Sequence, residues 1–517
     1  MTHMATVAVA SVERERASRS TPRPPLRRQA VVALSGAAVA GTLAESALRN
    51  GPPGAGLTLA FLVVLATLVV ARGTRAAPPS REFGAYTFPV LFALLLAGRA
   101  SPALVVLNGG ALLVSLALLA HSLAPGRRWP LAWARPLTFV AAFARSGLDV
   151  LFGAPRLAAA GYAGGGRMLP MVAALLRAAL IALPVVGVFA LLLASADPVF
   201  ERWLDRLLRL NVGELVWRSV AAGVLAWAAA GYLRTALLPP GARLPLPRLP
   251  RALALTDVVV LLGTLDLLFA AFVAVQLRHL FGGADVVSIT PGLTFADYAR
   301  RGFFELVAVT ALAVPLLLVV NASLARSESA RRTFRWLAAP MVALLLAVVL
   351  SALRRMQLYQ AEFGLTLQRV VATALILWVA VVLVLFAATV LRGRARGFAW
   401  RALLSGAAAL LVLNAANPEV LVVRTNVRRA GEGRALDVRY LARLSADAAP
   451  ALYAALPRLV PADACAIRVA LRRALPVAAS ARDRGWQSWS VAAHRARVVA
   501  RRVAVTGGPE RCAPEAR

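Results

Sequence analysis

Long apolar runs, separated by short polar stretches that carry proline, glycine or arginine, recur from residue 30 to residue 415. Runs of this length with few internal charges let a helix satisfy every backbone amide inside a bilayer. The pattern predicts about eleven transmembrane helices, at 30–48, 56–71, 85–97, 102–120, 174–194, 213–233, 254–277, 303–321, 336–353, 370–391 and 400–415. The first is rich in Ala and Gly and carries Glu45, and the third is short for a bilayer. Between the fourth and fifth runs lies a linker, 122–167, with scattered Arg, Trp and Pro. Its stretch 137–152 alternates apolar and polar patches, which predicts a helix lying along the interface. Pro198 ends the fifth run, because proline disfavours helix at the residue before it. Beyond Asn417 the long apolar runs stop. Stretches 436–459, 464–475 and 486–503 keep a helical period, and Ser445 is a candidate N-cap. The expected fold is therefore all-α: a polytopic bundle, then a small, mostly helical domain over 417–517. Residues 1–29 are polar, with no signal-peptide core, and are expected to form a disordered cytoplasmic tail.

Composition agrees with this pattern and adds an orientation. Hydrophobic residues make up 60% of the chain, charged residues 16%, and mean hydropathy is +0.70. The formal net charge is +34, and with no lysine in the sequence it is carried by arginine. A GC-rich genome accounts for much of the Ala, Arg and Leu. The arginines lie between apolar spans, so they fit topology and anionic lipid better than nucleic acid. Arginine-rich segments, among them those holding Arg72 and Arg75, Arg127 to Arg167, Arg243 to Arg251, Arg326 to Arg335 and Arg392 to Arg396, alternate with segments that are poorer in arginine or balanced by acids. The first set is expected to be cytoplasmic. An odd number of crossings then places the C-terminal domain outside. Cys465 and Cys512 both fall in that domain. Outside the membrane they could form a disulfide; a miscounted span would leave two reduced thiols inside. Neither these cysteines nor the four scattered histidines suggest a metal cluster.

Asp266 is the most unusual residue for chemistry, because it sits near the middle of the seventh run. An isolated charge there costs roughly 2.5–3.5 kcal/mol on insertion scales, so it must be protonated, paired or wet. It could couple transport to an ion or proton, or it could make a structural bond to Asn108 or Ser115. Asp257, nine residues earlier, faces the opposite side and is no partner for it. Asp197, Tyr298, Arg300, Arg301, Glu305 and Glu362 share the outer side in this topology. They form either a polar vestibule for an anionic headgroup or an ion-pair lattice that seals helix ends. Trp486 and Trp489 stand i,i+3 on an expected helix, where core or interface packing outweighs ligand stacking. No nucleophile elbow, HExxH or phosphate loop is apparent, and no cofactor or metal is expected.

The motifs Ser195-Ala196-Asp197-Pro198-Val199-Phe200, Asp297-Tyr298-Ala299-Arg300-Arg301-Gly302-Phe303-Phe304-Glu305-Leu306, Phe363-Gly364-Leu365-Thr366 with Arg369, and Asn417-Pro418 stand out together. With them go Gln276 and Leu280-Phe281-Gly282-Gly283, and in the tail Leu436-Asp437, Tyr440-Leu441, Leu444-Ser445-Ala446-Asp447 and Trp486/Trp489-Ser490. In these the chain resembles a bacterial membrane family, the domain of unknown function numbered four-one-seven-three, related to the one numbered four-one-five-three. The resemblance runs from about the fourth span to the C-terminus and implies an integral membrane protein, with no activity attached. Phe363 stands where that family's pattern has tyrosine. The expected role is a non-enzymatic envelope component that binds lipid or a protein partner through its outer face and tail, in the plasma membrane. The alternatives are a transporter or channel using Asp266, and a transferase acting on a lipid-linked substrate.

Overall fold

The computed structural model describes residues 24–73, 80–123, 136–162, 193, 212–238, 254–281, 303–324, 327–483 and 485–506. Among these the structure is helical, with no β-strand. Eight helices are long and apolar enough to cross a membrane, and two shorter apolar ones, Ala85–Gly98 and Ala308–Ser323, match the third and eighth predicted runs. The predicted run at 174–194 lies outside the described residues apart from Leu193. The chain divides into two units, the first comprising 1–93, 115–127 and 145–241, the second 94–114, 128–144 and 242–517.

In the first unit, α1 (Pro24–Arg49) packs against α2 (Ala55–Arg72) and against α7 (Val212–Leu237). α1 begins at Pro24, so the end of the expected disordered tail is helical. Small residues allow the close approach: a Cβ on Gly41 would lie 2.6 Å from the carbonyl oxygen of Ala222. In a bilayer, where lipid is as apolar as leucine, such small-residue seams drive association. α3 (Ser80–Gly98) and α4 (Pro102–Leu123) follow α2, and Thr58 of α2 donates to the Ala93 carbonyl at 2.7 Å. The amphipathic α5 (Pro136–Phe152) covers the stretch expected to be helical at 137–152 and leads into α6 (Ala154–Tyr162). Ion pairs tie helix ends together. Arg49 meets Glu214 at 3.1 Å, Arg218 meets Glu45 at 3.4 Å, and Arg234 meets Asp149 at 3.0 Å.

The second unit is built on α10 (Glu328–Phe363), which packs against α8 (Leu255–Phe281), α9 (Phe303–Ser323) and α11 (Leu367–Thr389). α11 in turn holds α12 (Phe398–Ala416). Leu262, Leu317, Phe334, Met341, Leu345, Leu383 and Phe386 form the core, and the rings of Phe386 and Phe398 meet edge-on at 5.6 Å. Leu267, Leu268, Leu350 and Val384 point away from it, as lipid-facing residues do. With 36 residues α10 is about 54 Å long, well beyond a hydrocarbon core of about 30 Å. The polar crossing expected at 354–369 is thus largely the continuation of this helix. Gly364, at φ +75°, stops it, and Thr366 caps α11 by accepting from the Arg369 amide.

The tail has its own core. α13 (Pro418–Gly431) lays Val422, Val423 and Val427 against Leu441 of α14 (Val438–Leu441), Leu452 of α15 (Ala449–Ala455), Ile467 and Leu471 of α16 (Pro461–Asp483), and Val499 and Val503 of α17 (Val491–Thr506). Leu365 and Val370, from the α10–α11 junction, pack on the same core. The expected helices over 436–459 are broken into short turns, because Asp437 and Ser445 each cap a new start. The helix expected over 486–503 begins at Val491 instead, after a tight turn at Trp486–Ser488. Gly485, at φ +72°, sets up that turn, and Ser490 accepts from the Ala493 amide to start α17. Trp486 and Trp489 are therefore exposed in this chain, outside the tail core.

Candidate functional site

The strongest concentration of buried polar chemistry lies in the second unit, where the α3–α4 turn, the end of α12 and the tail converge. Asn417 takes the rare φ of 48° as the cap between α12 and α13, and its side chain accepts from the Val420 amide. Pro418 at the first helical position needs no amide partner, and Glu419 enters the first turn of α13. Glu419 is 1% exposed. Its Oε2 accepts from the Ser445 amide at 2.9 Å and from the Ser445 hydroxyl at 2.7 Å. Burial pushes its pKa up, opposed by the hydroxyls of Ser445 and Ser101, while Asp447 nearby raises it further. The Ser101 Oγ acts on Glu419 electrostatically without meeting full hydrogen-bond geometry.

Asp447, also buried, is the second acid of the cluster. Its Oδ2 accepts from the amides of Ala100 and Ser101, both at 2.7 Å, and its Oδ1 meets Arg99 Nη1 at 3.2 Å. Arg99 also donates to the Asn414 carbonyl, and Asn417 donates to the Asp447 carbonyl at 3.4 Å. Deeper in the bundle Asn108 of α4 and Asn414 of α12 exchange amide hydrogen bonds at 3.0 and 2.8 Å. Both are buried. The bond between Asp266 and Asn108 entertained from sequence is thus not made; Asn108 faces Asn414.

A second polar lock closes the α10–α11 loop. Asn426 of α13 clamps Leu365, accepting from its amide at 2.8 Å and donating to its carbonyl at 2.7 Å. Tyr440 accepts from the Leu367 amide at 2.8 Å, and burial raises its pKa against that bond. Arg429 donates to the carbonyls of Gln360 and Glu362 at the end of α10. Arg369 stacks 4.0 Å over the Tyr359 ring, which also touches Phe363 at 5.1 Å. Phe363 thus serves as an aromatic surface, a role that needs no hydroxyl.

The expected vestibule is only partly visible. Asp197, Tyr298, Arg300 and Arg301 lie outside the described residues, and Glu305 falls in the first turn of α9. Glu362 is exposed, 3.6 Å from Arg434. Asp257 accepts from the Ala254 amide at 3.0 Å, opening α8 as a cap. Asp266 lies on the α8 stripe with Leu262, Phe269 and Val273 that turns toward α10. Its Oδ1 is sheltered and has no hydrogen-bond partner among the described residues. Cys465 is disulfide-bonded, and Cys512 lies outside the described residues. No group of His, Cys, Asp or Glu suited to a metal occurs among the described residues.

A family model, the domain of unknown function DUF4153, matches residues 86–455. The chain belongs to this family. The match is to the second of the two families resembled in sequence; it opens within α3 rather than at the fourth span and closes with α15. Both polar locks lie inside it. No curated protein and no solved structure matches the chain. Family membership and the apolar helices together describe a membrane-embedded protein. Sequence reasoning missed Arg99, Asn414 and Glu419. Lone asparagines within apolar runs were the available signal, since an amide in lipid needs a partner.

Proposed function

We propose that this chain is a non-enzymatic component of a bacterial cell envelope whose membrane bundle presents a rigid tail domain for binding lipid or a partner protein. The observation that carries this is how the tail's buried polar groups are used. Asp447, Asn426 and Tyr440 spend their hydrogen bonds on holding the domain against the α3–α4 turn and the α10–α11 loop, while Glu419 ties Ser445 to α13 inside the tail. Satisfied networks of this kind fix geometry. The outward face of the tail keeps Val460, Trp486, Trp489 and Val505 exposed. The tail is placed outside the membrane on arginine distribution, and the disulfide-bonded Cys465 supports an oxidising side.

Asp266 favours a second role, proton- or ion-coupled transport, because an acid with a sheltered, unpartnered oxygen sits on the α8 face turned toward α10. One experiment separates the two. A photo-crosslinking residue is placed at Trp486 in cells, and the same protein is reconstituted into vesicles with and without Asp266→Asn. Adducts at 486, with ion flux indifferent to the substitution, support the binding role. Loss of a flux with Asp266→Asn and no adduct on the tail would transfer the assignment to transport.

A further inference from the structure

The tail surface can be assigned a more specific occupant, which rests on the binding role just proposed. α17 buries Ala492, Ala496, Val499, Ala500 and Val503 against the rest of the tail. Its opposite face is exposed and regular. At about 100° per residue, Val498 and Val505 lie near the centre of that face. His494 and Arg501 flank them on one side and Arg495 on the other, all within an arc of about 120°. Val498 is 40% and Val505 87% exposed. No acid occurs anywhere in α17. Just before the helix, the Trp486–Ser488 turn leaves Trp486 51% and Trp489 40% exposed.

Apolar residues along a midline, arginines on both flanks and tryptophans at one end form the pattern of a helix that lies in a membrane interface. The valines enter the boundary, the arginine stems lie along it with their heads among phosphates, and the indoles sit at headgroup level. A protein partner of ordinary composition would leave the uniformly basic flanks unmatched, whereas an anionic headgroup layer matches them along their whole length. α17 packs on the 446–448 turn, whose Asp447 holds the backbone of Ala100 and Ser101 at the start of the membrane helix α4, so the tail is tethered beside a membrane helix end. We propose that the outward face of α17, with Trp486 and Trp489, docks on the surface of the bilayer through anionic phospholipid headgroups.

The test uses the full chain in nanodiscs of phosphatidylcholine alone or mixed with phosphatidylglycerol, with an environment-sensitive fluorophore on Val505→Cys. The expected result is a blue-shifted, quencher-protected label in the anionic discs only, reversed by high salt. Each arginine lost should weaken docking about fivefold, so Arg495→Gln with Arg501→Gln should free the label. Both side chains are exposed, so the variant keeps the fold. Equal quenching in the two lipids, or protection that survives the double substitution, overturns the proposal. A photo-crosslinker at Val498 in cells separates this from the broader role: protein adducts refute lipid docking but keep the tail as a binding surface. No adduct at 498 or 486 refutes both.

Discussion

Two buried acids, Glu419 and Asp447, share one neighbourhood with Arg99, and they are not equivalent. Asp447 has the cation and two amides, and it anchors Arg99 at the α3–α4 turn. Glu419 has only neutral donors, and burial raises its pKa above the ordinary glutamate value of 4.5. A raised carboxyl pKa means that the native state binds the proton more tightly than the unfolded chain. Its contribution to stability is therefore full below the ordinary value and is lost as pH rises through the folded-state value. Glu419→Gln, which keeps an acceptor for Ser445, should remove that loss. The thermal stability of the detergent-solubilised protein is expected to fall less between acidic and neutral pH in the variant than in the parent. Parallel pH profiles would show that Glu419 is not the group responsible.

At the scale of elements, the α10–α11 loop is where the membrane helices grip the tail. Thr366 and Gly364 give the loop its shape locally, but Asn426 fixes it from a helix far along the chain. Removing that amide leaves the Leu365 amide and carbonyl unpaired in a partly buried site, at about 1–3 kcal/mol. Asn426→Ala should therefore raise hydrogen exchange at Leu365 about fivefold or more. Exchange in α8, which makes no bond to this loop among the described residues, should stay unchanged. Uniformly faster exchange would mean that the loop and bundle open as one.

At the scale of the whole molecule, contacts inside each unit constrain how often the chain crosses the membrane. The Arg49–Glu214 pair in the first unit and the Arg99–Asp447 pair in the second each join polar ends that must share a side. An even number of crossings must then separate the partners of each pair. The eleven-span count satisfies both conditions, and dropping the run at 174–194, outside the described residues apart from Leu193, would violate both. With the arginine-rich turns inside, Arg99, Glu362 and the tail are expected on the opposite side. Cysteines introduced as Pro52→Cys and Glu432→Cys should react with an impermeant maleimide in intact cells, and Arg396→Cys only after permeabilisation. Equal labelling of 396 and 432 in intact cells would refute the alternation.

The amino-acid sequence determined the helices, because a bilayer admits few ways to satisfy a backbone, and apolar run length reports that constraint directly. It also marked Ser445 as a cap, since capping is local chemistry, while Asn417-Pro418 and Tyr440 stood out only through the family resemblance. The partners of those motifs were not legible. Nothing near Arg99 in the chain announces Asp447, and nothing near Asn108 announces Asn414, because both pairs join residues brought together only by helix packing. Where Trp486 and Trp489 face was likewise decided in three dimensions: one turn at Gly485 ends the helical period and carries both rings out of the core.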